Sequence, residues 1–492
     1  MKKYILSIDQ GTTGSRAFVF DSKGRVISSA YQEFRQYYPK PGWVEHDAQE
    51  IFKSVETVIR RAVAGSRIDP KAIAAIGITN QRETTILWDR RTSKPFYHAI
   101  VWQCRRTADI CTRLKKHEPL FRKITGLVVD AYFSGTKIQW LLDHVPGLRR
   151  QALQGHVAFG TVDSWLIYRL TGGASHVTDL TNAGRTLIFD IRAKTWSRPL
   201  LKLLNIPGNI LPKVLNSSSI FGYTAGGAAG LPPGIPIAAV MGDQQAALYG
   251  QGCFTPGSIK NTYGTGCFLL LNCGGKYVSS RHGLLTTLGC DAEGRPVYVL
   301  EGAVFIAGAV VQWLRDGLKI IEDSASTEKA IAGLKDTGGV YLVPAFVGLG
   351  APHWNPAARG IITGLTRGTS RGAIVRAALE SMAYQTKEVF DVMGKESGLR
   401  IKSLAVDGGA CRNDFLMQFQ ADQLAVAIVR PSMVDTTVAG AAYLAGVSTG
   451  LWTPRQVLKM RTIERTFKPR MPRREAAAGF AGWQHAVRQA LT

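Results

Sequence analysis

Asp243 closes the apolar run of "AAVMGDQQAAL" behind Gly242, with Gln244 and Gln245 following as uncharged donors. A carboxylate at an exposed strand end can take a hydroxyl proton while phosphate is transferred to that hydroxyl. It can equally cap the helix that "QQAALYG" would form. Arg82 and Glu83 end another apolar run in "ITNQRETTILW". Side by side they offer one fork of donors and one pair of acceptors, a set suited to the hydroxyls of a small polyol or to a plain ion pair. Trp102, in "AIVWQCRR", could pack its indole face on a carbon chain or sit in a core.

Three glycine-rich turns follow apolar strands: "DQGTTGSR" (9–16), "NTYGTGCF" (261–268) and "AVDGGACRNDF" (405–415). Glycine lets backbone N–H groups approach phosphate oxygens, and the hydroxyls of Thr12, Thr13 and Thr265 add donors. Each turn alone reads as a hairpin. Together, in both halves of the chain, they suggest a nucleotide held between two domains. Asp9 beside the first turn either caps it or faces a cation. A carboxylate next to phosphate calls for one, and Mg²⁺ is the natural ion.

These residues need strands to deliver them. "YILSI" and "AFVFD" read as strands around the first turn, with "RVISSA" next. In "DAQEIFKSVETVIRRAVAG", Asp47 is a helix N-cap with Glu50 three residues on, as in a capping box, and Gly65 suits the C-terminal end. Ile51, Val55, Val58, Ile59 and Ala62 fall at helical spacing. "IAAIGIT" (73–79) reads as a buried strand. "GGAAGLPPGIP" (226–236) reads as a connector near a domain boundary. A long helix is expected in 371–394. "SLAVDGG", a helix from Asn413 and "AVAIVRP" complete a strand–turn–helix–strand unit. The class is α/β, and no residue-level repeat links the halves.

The chain has 492 residues, 45% hydrophobic and 20% charged, enough for more than one domain and ordinary for a soluble protein. No apolar stretch has the length of a membrane helix, and the N-terminal apolar run is shorter than a signal-peptide core. Seven cysteines without CxxC spacing read as reduced thiols of a cytoplasmic chain. The net charge is +24. The basic stretch "KMRTIERTFKPRMPRRE" (459–475) has no interleaved aromatic pattern for base stacking. It reads as a solvated surface, with no nucleic-acid partner.

Taken together, "DQGTTGSR", "YPKPGWVEHD", "ITNQRETT", "AIVWQCRR", "YFSGTK", "GDQQAAL", "KNTYGTGCF", "LEGAVFIAGA", "VPAFVGLGAPHW" and "VDGGACRNDFLMQFQ" resemble the glycerol kinases of the FGGY carbohydrate kinase family, from about residue 3 to about residue 485. The resemblance implies two ribonuclease-H-like α/β domains of the actin/hexokinase/Hsp70 ATPase type with an interdomain cleft, spanning residues 1–251 and 252–492. It implies transfer of the ATP γ-phosphoryl group to the 3-hydroxyl of glycerol, giving sn-glycerol 3-phosphate. Carried over by matching position, Asp243 is the general base. Arg82, Glu83, Tyr132, Asp243 and Gln244 bind glycerol hydroxyls, and Trp102 and Phe268 line the apolar side. Thr12, Thr13, Gly14 and Arg16 contact phosphates, with Asp9 near Mg²⁺. Thr265, Gly308, Gln312, Gly409 and Asn413 hold the nucleotide. Homodimers or homotetramers are common in the family.

The competing readings are a related kinase for another small polyol or dihydroxyacetone, and a non-catalytic nucleotide sensor on the same fold. The chain departs from the family at Gly14, where other members carry serine. The stretch corresponding to a fructose 1,6-bisphosphate loop, 226–236, has no basic residue, and no histidine lies between 177 and 281 for a phosphorylation switch.

Overall fold

"YILSIDQ" is apolar at successive positions because its strand is covered on both faces. In the computed structural model, which describes residues 3–355 and 357–492, this strand is β1 (Tyr4–Gln10). It forms a hairpin with β2 (Gly14–Phe20), and β3 (Val26–Glu33) follows. On the other side of β1 lies β4 (Ile73–Asn80), parallel to it. Beyond β4 come β5 (Ser218–Tyr223) and β6 (Pro236–Gly242), β6 parallel to β4, giving a six-stranded sheet in the order β5-β6-β4-β1-β2-β3.

Leu6 and Ile8 of β1 share a core with Ile51, Val55, Val58, Ile59 and Ala62 of helix α1 (Ala48–Ser66). Ser7, one residue out of phase, donates its hydroxyl to the Val438 carbonyl at 2.7 Å, so the opposite face meets the helix Thr436–Ser448. That helix sits close because Gly77 of β4 has no side chain; a Cβ there would lie 2.2 Å from the Ala441 carbonyl oxygen.

Asp47 caps α1 as expected, accepting from the Gln49 N–H at 2.7 Å. Glu50 is not its capping-box partner: its carboxylate accepts from the Tyr37 hydroxyl at 2.8 Å. The helix also outlasts Gly65 and ends on Arg67, whose φ of 57° is left-handed. Gly65 is there for contact, since a Cβ would come 2.8 Å from the Ser28 hydroxyl of β3.

The chain divides into two units. The first holds residues to Phe254 with Thr286–Tyr298 and Thr436–Met460; the second holds Thr255–Leu285, Val299–Asp435 and Arg461–Thr492. The Gly/Pro stretch 226–236 is therefore no boundary. It lies inside the first unit, where Ala229 and Leu231 are buried in the α1 core.

The strands that follow in the chain are β7 (Ile259–Tyr263), β8 (Cys267–Gly274), β9 (Leu285–Cys290), β10 (Pro296–Val304), β11 (Ser403–Asp407), β12 (Ala427–Pro431) and β13 (Ile463–Phe467). Most of β9 and the start of β10 belong to the Thr286–Tyr298 segment of the first unit, and the second unit is built on the strand order β8-β7-β11-β12-β13. Strands β7 and β8 form a hairpin, β11 runs parallel to β7, β12 parallel to β11, and β13 antiparallel to β12. The core of this sheet therefore repeats the order and directions of the first one. Among the described residues no helix is long and apolar enough to cross a membrane, and all seven cysteines are buried and outside any disulfide.

In the first unit His46 is buried and His176 half-buried. Burial holds His46 down to about 3 and His176, whose Nε2 pairs with the Phe159 carbonyl, down to about 4. Both are neutral in the fold and protonate more readily in the unfolded chain. Their stabilising share is complete above pH 6.5 and falls away as the pH drops below it. Replacing His176 by glutamine keeps a donor for Phe159 but removes the titration. Between pH 7.5 and 5.0 the urea-unfolding free energy of H176Q should shift relative to wild type by about 2 kcal/mol in favour of the variant.

Candidate active site

Parallel strands β1, β4 and β6 end together: Asp9 is the register partner of Thr79, Thr79 of Met241, and Asn80 of Gly242. Ligands of open α/β sheets gather at such carboxyl ends, and three loops leave from here.

The loop after β4 carries Arg82 and Glu83, both buried. Glu83 has a left-handed φ of 60°, a conformation that costs a non-glycine residue on the order of 1–3 kcal/mol and needs surrounding contacts to persist. Its carbonyl supplies them, accepting from Ser134 Oγ at 3.0 Å, Lys137 Nζ at 3.3 Å and Thr85 Oγ1 at 3.1 Å. Ser134 and Lys137 come from α2 (Ser134–His144). Lys137 also donates to the Tyr132 carbonyl at 2.6 Å, and burial pushes its pKa down to about 7. The Glu83 carboxylate is 2.6 Å from Arg185 Nε and 3.8 Å from Arg82 Nε.

Arg82 Nε also lies 3.2 Å from Asp243 Oδ1. Its side chain rests on Gly242, where a Cβ would come 2.7 Å from two of its methylenes. The glycine of "GDQQ" is thus required by the arginine of "NQRE". Gln245, on helix α3 (Asp243–Gly250), accepts from Arg82 Nη1 at 3.3 Å and donates to the Leu288 carbonyl at 3.1 Å. Asp243 itself accepts from the Gln244 N–H at 2.7 Å. Its side chain is 32% exposed, against 2% for Arg82 and 1% for Glu83. Of these three charges, Asp243 is the most exposed.

The loop after β1 closes with the Gly11 N–H donating to the Gly14 carbonyl at 2.9 Å. Trp102 Nε1 donates to Thr12 Oγ1 at 2.9 Å, which leaves the Thr12 hydroxyl proton for another acceptor. The Thr12 carbonyl accepts from Gln36 Nε2 at 3.0 Å, and Gln36 in turn accepts from buried His46 at 2.6 Å. Gln81 Nε2 donates to Gln10 Oε1 at 3.0 Å and to the Gly11 carbonyl at 3.1 Å. A Cβ at Gly14 would fall 2.6 Å from the Tyr31 ring. Tyr31 therefore fills the space a serine would need, and the Arg16 guanidinium lies 5.6 Å from the centre of that ring. Thr13 and Arg16 are exposed, and Asp9 is half-buried. Trp102 meets Tyr132 edge-on, with centroids 5.6 Å apart.

In the second unit, considered by itself, the β7–β8 turn carries exposed Thr265. Helix α4 (Gly308–Asp316) starts against it: the Gly264 carbonyl accepts from the Gly308 N–H at 3.0 Å, and the Thr265 carbonyl from Ala307 at 2.8 Å and Ala309 at 3.1 Å. Gly308 is forced, since a Cβ would lie 2.5 Å from the Gly264 oxygen. Gln312 is exposed on α4, and Phe268 is half-buried on β8. After β11, Gly408 has φ of 84° and Gly409 opens a single turn, Gly409–Arg412. A Cβ at Gly409 would meet nothing within 4 Å. Asn413 caps helix α6 (Asp414–Leu424; α5 is the helix Arg371–Ser397), accepting from the Leu416 N–H at 2.7 Å and donating to Thr327 Oγ1 at 3.1 Å. Buried Arg430 holds the turn from below, donating to the Cys411 carbonyl at 2.7 Å and pairing with Asp414 at 2.9 Å.

Comparison with known proteins identifies this arrangement. Residues 4–250 match the N-terminal domain of the FGGY family of carbohydrate kinases, and residues 259–449 match its C-terminal domain. The chain belongs to the FGGY family of carbohydrate kinases.

Similar relatives include glycerol kinase 2 of Thermotoga maritima, 56% identical over 99% of both chains. The glycerol kinase of Caldanaerobacter subterraneus is 53% identical over 100% of this chain and 99% of that protein. Among solved structures, Plasmodium falciparum glycerol kinase with ADP superposes with a TM-score of 0.94 at 36% identity, over 99% of this chain and 98% of that one. The fold is the two-domain α/β fold of FGGY kinases.

In the first unit of this FGGY kinase, Arg82, Glu83, Asp243 and Gln244 form one cluster, and Thr12, Trp102 and Tyr132 another. In the second unit, Thr265 and Gly308 share one turn, and Gly409 and Asn413 flank another. Sequence reading missed Arg185, Lys137, Gln36 and Tyr31. Arg185 left one signal: in "TDLTNAGRTLIFD" it is the sole arginine or lysine of a stretch otherwise apolar, small or acidic. Removing it by R185M leaves Glu83 buried with less counter-charge. Urea unfolding should show a loss of about 3–5 kcal/mol, the usual effect of breaking a buried ion pair, and R185K should recover part of it.

Proposed function

We propose that this chain is a glycerol kinase, transferring the γ-phosphoryl group of ATP to the 3-hydroxyl of glycerol. The observation that carries the reading is the Arg82–Glu83–Asp243 cluster, in which Arg82 and Glu83 are fixed by their partners beside the more exposed Asp243. Glycerol offers three hydroxyls on a short carbon chain. Arg82 donates to them, Glu83 accepts from them, and Gln244 does both. Tyr132 adds a hydroxyl, and Trp102 covers the carbon face, a role the family resemblance gives to Phe268 as well. The 3-hydroxyl proton passes to Asp243 as its oxygen attacks phosphorus, with the Arg82 guanidinium beside the carboxylate as a fixed counter-charge.

Residues 1–251 serve the acceptor and the transferred phosphate, and residues 252–492 serve the nucleotide. Thr12, Thr13, the Gly14 backbone and Arg16 would donate to phosphate oxygens. Thr265, Gly308, Gln312 and Gly409 would seat the nucleotide. Because the Asn413 amide is engaged at both ends as a cap, its part there is to hold the Gly409 turn in place. The buried cysteines outside any disulfide support a cytoplasmic setting, where cysteines stay reduced.

The donor set also fits Mg²⁺. Among the described residues no three His, Cys, Asp or Glu side chains are grouped to hold a metal ion. Mg²⁺ asks less of the protein, since one or two carboxylates suffice when phosphates and water complete its shell. Half-buried Asp9 would hold it, and the bound ion would neutralise phosphate charge.

ADP release measured over glycerol, dihydroxyacetone, erythritol, xylulose and ribulose should show glycerol far ahead; equal rates across the panel would overturn the assignment. D243N should lower kcat with glycerol by about 10²–10⁴-fold, the range for losing a general base, while the folded protein remains.

A further inference from the structure

Asp179 lies outside every role given above, yet it ties the two halves of the acceptor cluster together. It ends the short strand Val177–Asp179 and is fully buried. Five donors converge on its carboxylate. The Thr181 N–H at 2.9 Å, Thr181 Oγ1 at 2.7 Å and Ser217 Oγ at 2.7 Å reach one oxygen. The Asn182 N–H and Asn182 Nδ2, both at 2.9 Å, reach the other.

Two of these donors pass the constraint onward. Thr181 Oγ1, having given its proton to Asp179, accepts the Gly242 N–H at 2.9 Å. Asn182 exchanges two side-chain hydrogen bonds with Asn80, at 3.1 and 3.0 Å. Gly242 and Asn80 are register partners at the ends of β6 and β4. Gly242 precedes Asp243, and Asn80 stands two residues before Arg82. The Ser217 carbonyl adds a further hold on β6 through the Val240 N–H at 3.1 Å.

We infer that Asp179 is a positioning residue with two arms: through Thr181 it sets the place of Asp243, and through Asn182 that of Arg82 and Glu83. The inference rests on the reading of Asp243 as proton acceptor and of Arg82 and Glu83 as glycerol ligands. The geometry requires a carboxylate at 179. Only an acceptor on both oxygens can orient the Thr181 hydroxyl as a donor toward it and so leave the Thr181 lone pair for Gly242, while holding the Asn182 amide toward Asn80.

The two arms make different kinetic demands, which a merely structural role would not. T181V is close in shape to wild type but strips the Gly242 N–H of its acceptor. It should lower kcat about 10- to 100-fold, with the glycerol KM changed less than about threefold, because proton transfer is misaligned while the glycerol ligands stay. T181S should restore kcat. N182A should act the other way, raising the glycerol KM about tenfold with a smaller effect on kcat and none on the ATP KM. Steady-state kinetics with thermal unfolding of each variant, and of D243N beside them, decide the matter. If T181V and N182A lose kcat and KM in the same proportion, following their loss of melting temperature, the inference falls. If D243N is impaired while T181V and N182A keep wild-type kinetics, the inference falls alone. If D243N itself keeps the wild-type rate, the proton-acceptor reading falls, and the Thr181 arm with it. Each arm is tested by its own variant, so misfolding of one leaves the other decisive.

Discussion

A carboxylate buried beside two guanidinium groups constrains everything around it. Glu83 is out of water with Arg185 at 2.6 Å and Arg82 at 3.8 Å. Taking such charges out of water costs several kcal/mol per ion unless geometry and hydrogen bonds offset it. The offset here is distributed. Arg82 gains Asp243 and Gln245 as partners, and Arg185 lies over the Tyr132 and Phe133 rings at 5.5 and 5.2 Å. The left-handed backbone of Glu83 turns its carbonyl toward three donors. Strain at one loop residue is thereby sustained by Thr85 and by two groups from helix α2, and the charge pair cannot slide without breaking these contacts. A polar solute meeting Asp243 meets a charge whose counter-ion is already fixed in place.

The glycine-rich loop between β1 and β2 is organised on the opposite principle. Its tethers are neutral: amides of Gln10, Gln36 and Gln81, the indole of Trp102, and an imidazole that burial keeps uncharged. Neutral tethers fix the backbone without filling the loop with counter-charge of their own. Its cation, Arg16, stands on the exposed side over Tyr31. The same tyrosine explains the glycine at 14. A serine hydroxyl and the Tyr31 ring compete for one space, so the ring's support of Arg16 takes the place of the hydroxyl.

Much of this is legible in the sequence, because it depends on residues close together along the chain. β1, β2 and β4 follow from apolar runs, and α1 from its spacing and its cap. Asp243, Arg82 and Glu83 stand out because charges seldom close apolar strands without a reason. What the sequence hides depends on contacts between distant positions. Arg185 meets Glu83 across 102 positions. Gly65 looks like a helix end until Ser28 is seen against it. The Gly/Pro stretch 226–236 looks like a linker until Ala229 and Leu231 are found in the α1 core. The helix Thr436–Ser448 has no polar face for a periodic pattern to reveal, because it is buried nearly all round.

The same physics explains why no repeat shows in the residues although one shows in the sheets. Both units place an antiparallel hairpin beside two parallel strands and an antiparallel edge strand. The glycine turn sits at the same hairpin in each: Gly11 to Gly14 between β1 and β2, Gly264 to Gly266 between β7 and β8. What differs is the material between the parallel strands. In the first unit, residues 81–235 separate β4 from β6 and bring in α2, Asp179 and Arg185. In the second, little more than α6 separates β11 from β12. The edge strand comes before its parallel neighbour in the first unit and after it in the second. An alignment along the chain therefore loses register at once, while hydrogen-bonded strand order, set by twist and burial, is preserved. The long crossover is also the source of the buried network behind Arg82 and Asp243, whereas the short one leaves its turn to be held by a helix cap and one arginine. Under the roles proposed above, the first crossover supplies the many fixed side chains that acceptor selectivity needs, and the second leaves the backbone N–H groups and space that seating a phosphate needs.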